Sequence, residues 1–86
     1  MNHESELVQV FKLLGHPIRL TIVKILKDVD YLTVGAIVEE VELPQATVSQ
    51  QLAKLKAGNI VSAERDGTNV RYSLSNTTVR KIVDVI

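Results

Sequence analysis

One stretch, residues 44–74, constrains the fold more than any other part of the chain. It opens with the run Pro-Gln-Ala-Thr-Val-Ser-Gln-Gln-Leu, in which apolar residues recur at helical spacing. Gly58 ends this pattern, and glycine is favoured just after the last residue of a helix. We therefore predict a helix from about Gln45 to Ala57. Its buried face would consist of Val48, Leu52 and Leu55.

A β-hairpin is predicted directly after this helix. Residues 60–65 and 70–74 are two strand-like runs, and Asp66-Gly67-Thr68-Asn69 lies between them. An Asp-Gly pair between β-prone segments is a strong short-range hairpin signal.

The remaining segments predict four more helices, three before this stretch and one after it. Gly15-His16-Pro17 separates the first helix from the second, and Thr33 is a candidate N-cap for the third. Residues 28–32 are predicted to form a loop with room for a short strand. Residues 42–44 form the turn before the fourth helix. The apolar stripes are Leu7, Val10, Phe11 and Leu14; Ile18, Ile22, Ile25, Leu26 and Val29; Val34, Ile37, Val38 and Val41; and, on the last helix, Val79, Ile82, Val83 and Ile86.

The predicted order is helix, helix, helix, helix, hairpin, helix, within a single domain spanning residues 1–86. This is the layout of a winged helix-turn-helix, a mainly α fold with a small β-hairpin. The third and fourth helices would form the helix-turn-helix, and the hairpin would form the wing.

Composition excludes several kinds of chemistry. The chain has no cysteine, which excludes disulfides and zinc–thiolate sites within it. It has no glycine-rich phosphate loop, and Ser49 has no histidine nearby in sequence, so we expect neither an enzyme nor a cofactor. We see no signal segment and no apolar run near 18 residues, so we expect a cytoplasmic protein with no membrane partner.

Charge is divided unevenly along the chain. Residues 1–43 hold four basic and seven acidic side chains, a net charge of −3. Residues 44–86 hold six basic and three acidic side chains, a net charge of +3. The basic half contains the fourth helix and the wing, as expected if both approach phosphates. Chance scatter of surface charge is the alternative.

The polar face of the fourth helix is the candidate site for reading double-stranded DNA. A helix in the major groove needs short side chains for close approach and amides or hydroxyls to pair with base edges. No acidic residue occurs between Pro44 and Val61, which is unusual for an ordinary solvated helix face, the alternative interpretation. The candidate DNA-binding residues are Gln45, Ala46, Thr47, Ser49, Gln50 and Lys54.

The wing supplies a second candidate DNA contact. Thr68 and Asn69 lie near its tip, and Arg65 and Arg71 flank it, so a basic tip could reach the backbone or the adjacent minor groove. The alternative is a plain hairpin with solubilising arginines.

These features resemble the ArsR/SmtB family of bacterial winged-helix repressors, over about Leu7 to Val83. The resemblance is carried by residues 14–22 (Leu-Gly-His-Pro-Ile-Arg-Leu-Thr-Ile), by residues 43–52, and by Gly67 with Tyr72-Ser73-Leu74. It implies a homodimer, formed through the first and last helices, that binds an imperfect palindrome in operator DNA. It also implies direct DNA contact by Gln45, Ala46, Thr47, Ser49 and Gln50.

The terminal stripes agree with such a dimer, because a lone 86-residue chain would struggle to cover both. Packing within one chain is the alternative. The residues assigned to the dimer interface are Leu7, Val10, Phe11, Leu14, Val79, Ile82, Val83 and Ile86.

The metal-ligand positions of the family are not matched. Where related proteins carry cysteines on the third helix, this chain has Leu32-Thr33-Val34-Gly35, and its last helix starts with Asn76-Thr77-Thr78. Hydroxyls, an amide and a glycine are poor ligands for soft or borderline metals. We therefore predict no metal sensing through these sites, and the effector is unknown. His3 lies in a terminus predicted to fray, and His16 is predicted to be a structural residue of the interhelix joint.

The sequence thus predicts a sequence-specific transcriptional regulator, with repression as the expected mode. A winged-helix protein–protein interaction module and a non-specific architectural DNA binder are the alternatives.

Overall fold

The computed structural model describes the backbone of residues 3–86 and the side chains of residues 6–86. The side chain of His3, which figures in the sequence predictions, lies outside this part. The elements are α1 (His3–Leu14), α2 (Pro17–Leu26), β1 (Leu32–Thr33), α3 (Val34–Val41), α4 (Gln45–Ala57), β2 (Val61–Asp66), β3 (Asn69–Leu74) and α5 (Thr77–Val83).

This order confirms the predicted winged helix-turn-helix, and the short strand for which residues 28–32 left room is present as β1, at the end of that loop. The two-residue strand β1 pairs antiparallel with β3, so that Leu32 lies opposite Tyr72 and Thr33 opposite Arg71. β3 also pairs with β2, giving a three-stranded sheet in the order β1-β3-β2. The base of the wing is therefore joined to the segment that enters α3.

Polar side chains cap three helices in the described part of the chain. His16 precedes α2 and accepts a hydrogen bond at Nδ1 from the Ile18 amide, at 3.2 Å. Thr33 Oγ1 accepts from the Ala36 amide at 3.3 Å, which confirms the predicted cap of α3. Asn76 caps α5 in the same way. Each cap satisfies an amide that the first helical turn leaves without a partner.

The turn between α3 and α4 is made by a residue in the left-handed region. Glu42 has φ 55° and ψ 43°, and its amide donates to the Val38 carbonyl at 2.9 Å. This conformation costs a non-glycine residue about 1–2 kcal/mol. Since Leu43 and Pro44 complete the connection, it is Glu42 that reverses the chain and brings α4 across α3.

The wing closes through a two-residue loop. Asp66 pairs with Asn69, so Gly67 and Thr68 form the loop. Gly67 has φ 64°, whereas Thr68 is not among the residues with positive φ. A positive φ at the first loop position alone is the pattern of a type II′ turn, which favours glycine there and matches the twist of the strands.

The core is almost wholly aliphatic and draws on every helix and on the base of the sheet. Its buried apolar residues are Leu14, Ile22, Val23, Leu26, Ile37, Val48, Leu52, Leu55, Ile60, Val61, Leu74, Val79 and Val83. The prediction that Val29 continues the stripe of α2 is wrong, because that helix ends at Leu26 and Val29 is exposed in the following turn.

Candidate nucleic-acid interface

The outer face of α4 presents the side chains predicted to read DNA. Gln45, Ala46, Ser49, Gln50 and Lys54 are exposed, and Thr47 is half-buried. The opposite face is held in the core. Its fully buried residues are Val48, Leu52 and Leu55. The predicted division of this helix into an aliphatic face and a polar face therefore agrees with the burial along α4.

Both ends of α4 suit an anionic partner. Pro44 occupies the N-cap position and makes no side-chain hydrogen bond to the helix, so the first amides of α4 keep their donors and the positive end of the helix dipole stays uncapped. Lys54 and Lys56 lie in the last turn, where cations complement the dipole. The helix thus offers donors at its start, uncharged polar groups along its outer face and cations at its end.

Gln51 was not assigned to either face from the sequence, and the structure buries it. Its side chain is 7% exposed, and its Oε1 accepts a hydrogen bond from Nη1 of Arg19 at 3.0 Å. The Nε of Arg19 donates to the Leu13 carbonyl at 2.7 Å. Arg19 therefore links the end of α1 to the middle of α4. The sequence carried no signal for this contact, because its partners are 32 residues apart.

The two arginines assigned to the wing lie on opposite faces of the hairpin. Side chains alternate between faces along a strand. Arg65 lies opposite Val70 and two residues beyond Ala63, so it shares the face that continues into the core. Arg71 lies opposite Glu64 and belongs to the other face. The prediction of one basic tip formed by both arginines is corrected accordingly.

Arg71 is held by contacts within the chain. Its Nη2 donates to Oδ2 of Asp66 at 2.5 Å, and its guanidinium lies 4.5 Å from the centroid of the Tyr31 ring. The hydrogen bond to Asp66 raises the pKa of Arg71 above its usual value. Tyr31 is exposed and lies just before β1, so it was not recognised from the sequence.

Fewer cations of residues 44–86 are available at the surface than the net charge of +3 suggests, because some of them are bound within the chain. Arg80 donates from Nη1 to the Lys27 carbonyl and from Nη2 to the Leu74 carbonyl, both at 2.9 Å. It therefore fastens α5 to the end of α2 and to the end of β3. Among the cations assigned to DNA contact, Lys54 and Arg65 have no ion pair in the described part of the chain.

The residues assigned to a dimer interface divide into two groups. Leu14, Val79 and Val83 are buried in the chain's own core, which corrects the prediction for these three, because they have no surface left for a partner. Val10 and Ile82 are partly buried against the same core. The periodic stripes of α1 and α5 thus serve mainly to attach these helices to the domain.

Exposed apolar side chains remain at both ends of the chain. On α1, Leu7, Val8 and Phe11 are 40%, 50% and 57% exposed. Val85 and Ile86, which follow α5, are also exposed. These residues, rather than the buried part of the stripes, are available for contact with a second protein chain.

The residues noted for metals or catalysis are used structurally or lie apart. Among the side chains of residues 6–86, no three histidine, aspartate or glutamate groups come together as a metal site would require. His16 and Asn76 cap helices, and Ser49 is exposed on the outer face of α4. None of the helices in residues 3–86 has the length and apolar character needed to cross a membrane.

Comparison with known proteins places this helix-turn-helix in a family. The profile described as "Bacterial regulatory protein, arsR family" matches residues 16–63, from the start of α2 into β2. The chain belongs to the arsR family. Its members are transcriptional regulators rather than enzymes, and this chain is accordingly a helix-turn-helix DNA-binding regulator.

Individual relatives support this assignment over nearly the whole chain. Transcriptional repressor PagR of Bacillus anthracis is 36% identical over 78 residues, which are 91% of this chain and 78% of PagR. HlyU from Vibrio cholerae matches with a TM-score of 0.91 and 31% identity, covering 99% of this chain and 92% of HlyU. The homodimeric winged helix-turn-helix domain of Mb0332 from Mycobacterium bovis matches with a TM-score of 0.84 and 28% identity, covering 94% of this chain and 74% of that domain.

Two double variants test whether Arg65 or Arg71 contacts DNA, and each of them leaves the net charge of the chain unchanged. We expect Arg65→Gln with Glu64→Gln to weaken duplex binding about fivefold and to lower the salt dependence by about one phosphate contact. Arg71→Gln with Asp66→Asn also removes one charge of each sign. Because these two side chains already form an ion pair with each other, we expect duplex affinity to change less than about twofold. Salt titrations of duplex binding by fluorescence anisotropy compare the two variants, and the reverse order would contradict the assignment.

Proposed function

We propose that this protein is a sequence-specific repressor that acts as a homodimer on an imperfect inverted repeat in operator DNA. In this proposal residues 1–86 act as one DNA-binding domain in the cytoplasm. The observation that carries the proposal is the outer face of α4, which is exposed, polar and free of acidic residues while the opposite face is buried. Such a face can lie close to the edges of base pairs without repulsion from phosphates.

The proposed reading residues have distinct roles. Gln50, at the centre of the exposed face, can donate and accept at once, as a bidentate contact with adenine requires. Gln45, Thr47 and Ser49 offer further amide and hydroxyl groups, and Ala46 keeps the approach close. Lys54 would hold a phosphate at the far end of the helix, while Arg65, Thr68 and Asn69 would contact the backbone beside the groove.

A homodimer is supported by the exposed apolar residues of α1 and of the C-terminus. Leu7, Val8 and Phe11 would contribute the α1 part of the interface, and Val85 and Ile86 the C-terminal part. The related Mb0332 domain is described as homodimeric. Two-fold symmetry would present two copies of α4 to half-sites about 34–36 Å apart, one turn of the duplex, or a multiple of it.

Repression is proposed because PagR, among the related proteins, is a transcriptional repressor. Regulation independent of metal ions is proposed because the residues at the family's ligand positions have other roles. Thr33 caps α3, Gly35 has no side chain, and Asn76 caps α5 and also donates from Nδ2 to the Asn59 carbonyl at 3.1 Å. Tight zinc binding accompanied by loss of operator affinity would contradict this part of the proposal.

Substitution of two residues of α4 tests the reading function. Gln50→Ala should lower discrimination between operator and mutated operator by about 1–3 kcal/mol while non-specific affinity changes little. Lys54→Met should weaken all duplexes about equally and reduce the salt slope by about 1. Competition binding at several salt concentrations gives both quantities. If neither the wild type nor the variants bind duplex at low salt, a protein–protein interaction module is indicated instead.

A charge placed on the exposed face of α1 tests the dimer. Phe11→Asp should convert the protein to a monomer, because an unpaired carboxylate would be buried in the interface. Sedimentation velocity should show the mass halved, and affinity for the inverted repeat should fall by about 100-fold or more as avidity is lost, with a single half-site little affected. Val29→Asp, the same kind of change at another exposed position, is the control. A Phe11→Asp protein that remains dimeric would overturn the proposed interface.

A further inference from the structure

Arg19, on α2, makes hydrogen bonds to two other helices, α1 and α4, which have different proposed tasks. Its Nε donates to the Leu13 carbonyl at the end of α1 at 2.7 Å, and its Nη1 donates to Gln51 Oε1 on α4 at 3.0 Å. The guanidinium is half-buried, and the Gln51 side chain is buried. Because a hydrogen bond to a charged group in a partly dry environment is stronger than an exposed neutral one, this link restrains both partners.

A second contact joins the same two helices further along α4. A Cβ atom placed on Gly58, the residue after α4, would lie 2.3 Å from Cδ1 of Leu13. The side chain of Leu13 therefore occupies the space that a larger residue at position 58 would need. Leu13 is thus connected to α4 in two ways. Its carbonyl is bridged to Gln51 by Arg19, and its side chain packs directly against Gly58.

The spacing of the two contacts decides what they restrain. Gln51 and Gly58 are seven residues apart, which is about two helical turns and about 10.5 Å along the axis. Both therefore lie on the same side of α4. Core packing of Val48, Leu52 and Leu55 already holds the buried face of α4. The contacts at Gln51 and Gly58 add two points of attachment to α1 on one side of the helix, and together they oppose tilt and rotation of α4 relative to α1.

We propose that Arg19 is a positioning residue that fixes the orientation of α4 relative to α1 and thereby sets which half-site spacing the dimer accepts. This inference rests on the proposed function, in which α1 contributes to the dimer and α4 reads the operator. When α1 is held by the partner subunit, the position of each α4 follows from its attachment to α1. Arg19 acts on DNA only through Gln51, which adjoins the exposed reading residue Gln50.

The chemistry of the link suggests variants that break it without changing charge. Arg19→Lys keeps the positive charge, but a single terminal nitrogen cannot reproduce donation from both Nε and Nη1. Gln51→Met keeps the length of the side chain and removes the acceptor. Gln51→Glu keeps an acceptor and should retain the link as a charge-assisted hydrogen bond. Lys24→Arg, an exchange between cations on the exposed part of α2, is the matched control.

The experiment measures binding to the operator and to operators whose half-sites are moved apart by one or two base pairs. Unfolding midpoints and dimer mass are measured on the same preparations. The wild type, Gln51→Glu and Lys24→Arg should prefer the native spacing strongly. Arg19→Lys and Gln51→Met should lose at least fivefold of that preference while remaining dimeric and keeping their non-specific affinity. Arg19→Lys combined with Gln51→Met should lose no more than either alone, because both break one link.

The possible outcomes distinguish a failure of the role proposed for Arg19 from a failure of dimeric operator reading. If Arg19→Lys and Gln51→Met lower the unfolding midpoint but keep the spacing preference of the wild type, the inference is wrong and Arg19 is only structural. If the wild type shows no preferred spacing at all, the proposed dimeric reading fails as well. Gly58→Ala provides an independent variant if Gln51→Met fails to fold. Its added methyl group would displace Leu13 from the second contact, and it should show the same loss of preference for the native spacing.

Discussion

The burial of one face of α4 is the constraint on which the rest of the structure depends. Val48, Leu52 and Leu55 are fully excluded from solvent, and burying each of them stabilises the fold by about 1.5–3 kcal/mol. Their position determines which side of the helix remains outside, and that side is the polar, acid-free one. With aromatic residues at 3% of the chain, α2, α3 and the base of the sheet must surround these residues with aliphatic side chains. The same packing that stabilises the domain therefore presents the face of α4 that we propose reads DNA.

Arginine residues in this chain have two different uses, and the structure separates them. Arg19 and Arg80 donate to main-chain carbonyls and, in Arg19, to a buried amide, so they hold α1, α4 and α5 in place. Arg71 is joined to Asp66 and stacked on Tyr31, on one face of the wing. Arg65 is exposed at the tip. The electrostatic attraction for DNA therefore depends on fewer cations than the net charge of residues 44–86 indicates.

Much of the fold was predictable because its signals are local. The bounds of α4, the joint at His16, the cap at Thr33 and the Asp-Gly hairpin all depend on residues within a few positions of one another. The exposed members of the reading face follow from helical geometry alone, and their contact with bases is still a prediction.

The features that were not predicted depend on contacts distant in sequence or on conformations that the residue type does not signal. β1 has two residues and no periodicity, so the sequence left only room for a short strand near residues 28–32, and pairing with β3 fixes its position. Glu42 adopts a left-handed conformation more usual for glycine. An apolar stripe cannot show whether it is covered by its own chain or by another, which is why Val79 and Val83 were assigned to a dimer interface. The opposite faces of Arg65 and Arg71 follow from the strand register, which requires the loop length.

Selection from a random duplex library, with purified metal-free protein near physiological salt, tests the central claim most directly. We predict enrichment of one inverted repeat whose half-sites are one helical turn apart, or a multiple of it. That result would show reading by two copies of α4 in one assembly. Recovery of duplexes with no shared motif would contradict sequence-specific reading and indicate an architectural binder. Retention of no duplex at all would contradict DNA reading by the protein alone.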